Sequence, residues 1–211
     1  MVLHFAIDYR DDKLITSSET GSLEVYLNLF DPKQVNPSDK KILHETSIPN
    51  ATGGQSKFLQ LEFHSIQKNE LIALFPREIC IFDLNNLKKI WHLKLDKSMS
   101  SFIQFYSCSI KDILYTLHEN GCLSVFERKE NEQKKLFFEN NQQIRFDEWQ
   151  FSFNYQMCFQ SDPIKLSFKS SKVMGFSVMP STQKYIAVFL SDNRLLKYEI
   201  LRKNVHRNFY Y

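Results

Sequence analysis

Apolar and polar positions along this chain follow a unit that occurs four times. Each unit opens with a short apolar strand and passes a polar turn into a second one. A tight turn then leads to a third strand that ends on an aromatic. The first unit reads LHFAI at 3–7, the turn DYRDD, LITSS, Thr20-Gly21, and SLEVY ending at Tyr26. The second reads FLQLEF at 58–63, ELIALF, a turn around Pro76-Arg77, and EICIFD with Phe82-Asp83. The third reads FIQFY at 102–106, DILYTL, the turn Glu119-Asn120-Gly121, and CLSVFE with Phe126-Glu127. The fourth reads VMGFSV at 173–178, KYIAVFL, the turn Ser191-Asp192-Asn193, and RLLKYE with Tyr198-Glu199.

The closing aromatics Tyr26, Phe82, Phe126 and Tyr198 stand 56, 44 and 72 residues apart. The middle spacing fits the roughly 40–45 residues of a WD-type blade. The longer two hold insertions. Residues 30–57 are rich in Pro, Asn, Ser and Gly around a strand KILHETSI, and residues 128–148 form a charged, Gln/Asn-rich excursion. KKIWHLKL at 88–95 and WQFSFNYQMCF at 149–159 supply outer strands for the second and third units. The pattern predicts an all-β fold, a WD40-type β-propeller segment of about four blades at 1–57, 58–100, 101–161 and 162–203, with a tail at 204–211. Its blade markers are Tyr26, Phe82, Asp83, Asn120, Gly121, Phe126, Glu127, Tyr198 and Glu199. Asn120-Gly121 is expected to form a two-residue hairpin turn, because both positions tolerate positive φ. Four WD-type blades predict an incomplete ring with two uncovered faces. A fragment of a larger ring, or a truncated product, is therefore expected, with a self-dimerised arc as the alternative.

Composition narrows the chemistry. Gly is 5 of 211 residues, where average usage would give about 15, so Gly-rich phosphate loops are not expected. Phe at 19 and Tyr at 9 favour strands. The net charge of +3 does not by itself call for a polyanion partner. Cys80, Cys108, Cys122 and Cys158 include no CxxC spacing, so neither a zinc knuckle nor a redox pair is indicated. The amino terminus lacks a basic n-region and a long apolar core, and no apolar run has the length of a spanning helix. The expectation is a cytoplasmic chain with reduced thiols.

LFPREICIFDL at 74–84, LYTLHENGCLSVFERK at 114–129 and IAVFLSDNRLLKYEILRK at 186–203 resemble consecutive blades of the WD repeat-containing protein 11 family. VLHFAIDYRDDKLITSSETGSLEV at 2–25 is similar to the blade preceding them. The PREI and LHENGC motifs carry most of the specificity. The resemblance implies part of the first of two tandem propellers, in scaffold proteins of vesicle tethering at the trans-Golgi network, with ties to cilium formation and Hedgehog signalling. It implies protein partners (vesicle-tethering complex subunits), at most peripheral membrane association through them, location at the trans-Golgi, cytoplasmic vesicles and cilium base, and no catalytic residues.

The candidate chemistry agrees. His118-Glu119 begins an HExxH pattern, but position 122 is Cys, and both residues are expected in a hairpin turn rather than on a helix face. His44 and His64 fall in or beside strands, where a bonded or solvent-facing imidazole is ordinary. Asp11-Asp12 reads as a turn, and no Ser lies in GxSxG or SxxK. Cys80 and Cys122 belong to third strands and are expected to be buried and inert. A non-enzyme follows, with no cofactor, metal or small-molecule substrate. The alternative is a weak nucleic-acid-binding β module using Arg128, Lys129, Lys134 and Lys135 with Arg202, Lys203 and Arg207. Glu127, Glu130 and Glu132 interleave with the first cluster and cancel much of its field, so this reading is not favoured.

Overall fold

The computed structural model describes residues 2–8, 13–18, 23–27, 41–44, 58–86, 88–133, 150–163, 171–179, 184–200 and 205–208. Their strands are β1 (Val2–Asp8), β2 (Lys13–Ser18), β3 (Leu23–Leu27), β4 (Lys41–His44), β5 (Gln60–Phe63), β6 (Glu70–Leu74), β7 (Glu78–Asp83) and β8 (Lys88–Lys94). There follow β9 (Phe102–Ser107), β10 (Ile113–His118), β11 (Leu123–Gln133), β12 (Gln150–Gln160), β13 (Val173–Val178), β14 (Tyr185–Leu190), β15 (Leu195–Ile200) and β16 (Val205–Asn208). They pair as four antiparallel meanders in chain order, β1–β4, β5–β8, β9–β12 and β13–β16. These are the four propeller blades, each with its first strand innermost.

Second strands read as unbroken apolar runs because a blade is covered on both faces. Every residue of β6 is buried, and so is β10 after its first residue. Register explains which side chain goes where. Pairs beside the turn between second and third strands are Ser17–Leu23, Leu74–Ile79, Leu117–Leu123 and Phe189–Leu195. Two residues further from the turn come Ile15–Val25, Ile72–Ile81, Tyr115–Val125 and Ala187–Lys197. In the first three blades these positions face the next blade, and the alternate ones face the preceding blade. Three apolar cores result. Ile15, Leu23 and Val25 pack with Leu71, Ala73, Cys80 and Phe82; Ile72, Leu74, Ile79 and Ile81 with Leu114 and Phe126; Tyr115, Leu117, Leu123 and Val125 with Ile186, Val188, Leu196 and Tyr198. Four blades with three shared cores among the described residues make an arc whose end blades each have a blade neighbour on one side.

Some local expectations change. His118 N–H donates to Cys122 O at 2.9 Å, Gly121 N–H donates to His118 O at 2.8 Å, and Gly121 has φ 77°. The β10–β11 loop is thus the three residues Glu119, Asn120 and Gly121, with only Gly121 left-handed, rather than a two-residue turn on Asn120-Gly121. Asn193, at φ 64°, takes the place of Gly121 in the β14–β15 loop. There Arg194 N–H donates to Asp192 Oδ1 at 3.3 Å, as Cys122 N–H does to Asn120 Oδ1 at 3.0 Å. The excursion expected from 128 begins later, because β11 runs on to Gln133 opposite β12. Residues 205–208, read as part of a tail, pair with β15 as the outer strand of the fourth sheet.

Candidate interaction surface

Innermost strands have one edge facing the propeller axis, so their backbone groups there need partners from elsewhere. Gln60 in β5 supplies them to the next blade. Phe105 N–H donates to Gln60 Oε1 at 3.0 Å, and Gln60 Nε2 donates to Phe105 O at 3.0 Å. Gln104 stands at the matching position of β9, and Phe176 N–H donates to its Oε1 at 2.8 Å. Gly175 leaves room for that amide: a Cβ there would lie 2.9 Å from Gln104 Oε1. One turn-level contact works the same way. Arg77 donates from Nη1 to Met99 O at 2.5 Å and from Nη2 to Asp96 O at 2.6 Å, holding the segment that leads into the third blade.

The junction between the second and third blades also carries a polar knot. His64 Nδ1 accepts the N–H groups of Ile66 and Gln67, both at 3.1 Å, which leaves the ring proton on Nε2. That proton points at Tyr155 Oη (2.8 Å) and Asp112 Oδ1 (3.0 Å). Tyr155 O–H donates to the same Asp112 oxygen at 2.5 Å, and Gln67 Nε2 donates to Oδ2 at 3.1 Å. Burial alone would raise the Asp112 pKa, but the hydrogen bonds from His64, Tyr155 and Gln67 outweigh it and hold it at about 2. Arg128 Nη1 donates to both oxygens of Glu70, at 2.9 and 2.8 Å, and its Nε lies 3.6 Å from Asp112 Oδ2. The guanidinium rests 3.5 Å over the Phe153 ring. Outside this, Trp91 Nε1 donates to Asn154 Oδ1 at 3.0 Å, tying β8 to β12. The knot is built to fix two blades: its charges pair inward across the junction, and among the described residues Arg128 Nε is the buried side-chain donor left without a hydrogen bond.

Glu62 lies beside this junction on the inner strand. Burial pushes its carboxyl up to about 7, against the opposing hydrogen bond from Gln60. The fold therefore favours the neutral acid, and that contribution is complete below the ordinary value of 4.5 and is lost as pH rises through about 7. Glu62→Gln is expected to stabilise the chain by about 1–3 kcal/mol at pH 8 and by little at pH 4. Thermal midpoints across that range check it, and an equal gain at both ends would contradict the assignment.

The predicted markers take several roles. Phe82 and Phe126 are buried against the preceding blade, each at a register shift where its strand meets the outer strand. Tyr198 is buried likewise, whereas Tyr26 is only half-buried and donates to Glu24 at 2.9 Å. Asp83 accepts from Asn85 N–H and Asn86 Nδ2 and so closes the β7–β8 turn. Glu127 pairs with Lys129 at 2.6 Å, and Glu199 sits in β15 opposite Tyr185. Arg128 belongs to the knot rather than to an exposed basic track. Lys134, Lys135, Arg202 and Lys203 lie outside the described residues, and Arg207 falls in β16.

His118 is the buried last residue of β10, not part of the turn as expected. Its Nδ1–H donates to Ser100 O at 2.8 Å, and Nε2 accepts from Ser124 Oγ at 3.0 Å. Burial lowers its pKa, which keeps it neutral in that role. Cys80, Cys108 and Cys122 are buried, and burial raises the Cys80 and Cys122 thiols. An aromatic disulfide reagent at neutral pH is expected to modify Cys158 in the native chain and the other three only after denaturant. Rapid loss of all four would contradict that burial.

Two blade faces have no neighbouring blade among the described residues. On the fourth blade the next-facing positions are Ala187, Phe189, Leu195 and Lys197, with Met174 beside them. Met174, Phe189 and Leu195 are exposed by 62%, 48% and 47%. On the first blade the preceding-facing positions are Thr16, which is buried, and Leu14, Glu24 and Tyr26, which are half-buried, with Phe5 exposed by 64%. The residues at the equivalent register position of the other three blades, Leu61, Phe105 and Phe176, are all buried.

The family model described as WDR11 first beta-propeller matches residues 37–143. WD repeat-containing protein 11 of Homo sapiens is 27% identical over 150 residues, 71% of this chain and 12% of that protein. Its counterpart from Danio rerio is 27% identical over 147 residues, 67% of this chain and 11% of that protein. The chain thus spans a small part of the length of these relatives. The crystal structure of the Myceliophteria_thermophila Cps50 (Swd1) beta-propeller domain superposes with a TM-score of 0.59 at 12% identity, over 93% of this chain and 54% of that one. That likeness shows the propeller fold. Among the described residues no helix is long and apolar enough to cross a membrane.

Proposed function

Because the chain belongs to the family of the WDR11 first beta-propeller, we propose that it acts as a non-catalytic WD-repeat scaffold, binding other proteins through its faces and loops in vesicle tethering at the trans-Golgi network. The family match across the second and third blades carries this reading. It is supported by how the polar side chains are used. His64, Asp112, Tyr155 and His118, the groups best suited to acid–base work, are each bonded into a blade or a blade junction.

The segment joining β11 and β12 is the proposed contact region, because it is long for a hairpin connection. A tagged chain expressed in cells is expected to concentrate on trans-Golgi vesicles and to co-purify with vesicle-tethering proteins. Deleting 134–149, which spares β11 and β12, is expected to lower that recovery several-fold at an unchanged thermal midpoint. A diffuse distribution with no tethering protein recovered would reject the trafficking role. Undiminished recovery after the deletion would move the contact elsewhere.

A further inference from the structure

One end of the blades carries the turns that lead from innermost to second strands, and two of these turns are built alike and bonded to each other. In the β5–β6 turn the buried His64 accepts the N–H groups of Ile66 and Gln67 through Nδ1. In the β9–β10 turn the buried Cys108 sulfur accepts those of Ile110 and Lys111, at 3.3 and 3.2 Å. Two places after each acceptor stands an isoleucine, exposed by 37% at Ile66 and by 59% at Ile110. A lysine follows in each turn. Lys68 and Lys111 are both exposed, and neither has an ion pair among the described residues. Ser65 Oγ donates to Ser107 O at 2.9 Å, and Gln67 Nε2 donates to Asp112, so the two turns form one platform. Asp112, the carboxylate of these turns, is turned inward to His64 and Tyr155. The β13–β14 turn adds Met179, 46% exposed, whose N–H donates to Tyr185 O at 3.0 Å.

We propose that this end of the blades rests on an anionic bilayer, with Ile66, Ile110 and Met179 entering the headgroup region and Lys68 and Lys111 meeting acidic lipid. The bonds to His64 and Cys108 fix the turns with their isoleucines outward, so docking has little left to order. Single apolar side chains spaced over three turns do not make the continuous, close-packed centre of a protein interface. A bilayer surface takes them one by one, and lysines beside them keep their charge at headgroup level. Charge complementarity chooses the lipid. Two exposed ammonium groups stand beside a carboxylate already engaged inward, and acidic headgroups supply the missing counter-charge. The platform lies at the ends of the blades rather than at their sides, so a blade on either side of the arc leaves it facing outward. Membrane contact of this kind is independent of the trafficking role proposed above.

Flotation of the 211-residue chain with lipid vesicles tests this. The chain is expected to float with phosphatidylcholine vesicles containing about one-third phosphatidylserine and to be released as salt is raised. With phosphatidylcholine alone it is expected to stay in solution. Ile66→Ser with Ile110→Ser, and separately Lys68→Glu with Lys111→Glu, are each expected to lower the bound fraction several-fold at an unchanged thermal midpoint. Lys94 and Lys97 are exposed at the other end of the blades, where β8 leads into the third blade. Lys94→Glu with Lys97→Glu makes the same change in net charge there and is expected to leave binding as it is. Equal loss with that pair, undiminished binding after either platform substitution, or equal binding to neutral vesicles would each overturn the proposal. So would an unaltered chain that never floats, and that result would leave the platform to a protein partner.

Discussion

Arg128→Ala is expected to destabilise the chain by about 3–5 kcal/mol, because it strands buried carboxylates rather than merely deleting a contact. Glu70 is almost buried and takes both of its hydrogen bonds from Arg128 Nη1. Asp112 loses a nearby positive charge, and Phe153 loses the guanidinium lying on its ring. Lys at 128 keeps the charge but not the fork, so Arg128→Lys is expected to recover only part of the loss. Arg128→Met with Glu70→Leu removes both ions and is expected to cost far less than Arg128→Ala alone. Guanidinium melts of the four proteins check the ordering. If the double variant were the least stable, the knot would be valued for its pairing and not for the cost of breaking it.

Phe126→Ala is expected to cost a similar amount, about 3–5 kcal/mol, as a large cavity in a closed core. Its ring is 2% exposed and packs among Ile72, Leu74, Ile79, Ile81 and Phe105. Tyr26 closes the same strand in the first blade but is only half-buried and joins none of the cores between blades among the described residues, so Tyr26→Ala is expected to cost about 1 kcal/mol or less. The contrast between two aromatics at one repeat position is the useful result. Equal losses would mean that the first blade is covered by a neighbour the arc does not contain.

Repetition made the fold legible. An aromatic after a third apolar strand recurs at Tyr26, Phe82, Phe126 and Tyr198 because each blade must cover the one before it, and the period follows from that need. Local chemistry was legible only as far as it was local. Asn120-Gly121 marks a turn, yet whether the loop has two residues or three depends on how β10 meets β11, which the pair cannot encode. Arg128 reads as one cation in a charged run; its partner Glu70 is 58 positions away, and Tyr155 is 91 from His64. No spacing rule joins such residues. Val205–Asn208 is too short to register as a strand before its edge is matched to β15. The glutamine clamp was within reach. FLQLEF and FIQFY both place Gln just before an inward residue of the innermost strand, where an apolar side chain would be ordinary.

That clamp also offers the most direct test of the architecture, since it exists only if innermost strands of successive blades lie side by side around an axis. The amides of Phe105 and Phe176 sit on strand edges that no neighbouring strand pairs, and each is bonded by a glutamine from the blade before. Residue-resolved hydrogen exchange is the measurement. The account predicts that both amides exchange orders of magnitude more slowly than an open strand edge, and that Gln60→Ala releases Phe105 while leaving Phe176 protected. Fast exchange of both amides in the unaltered chain would contradict the arrangement of blades described above.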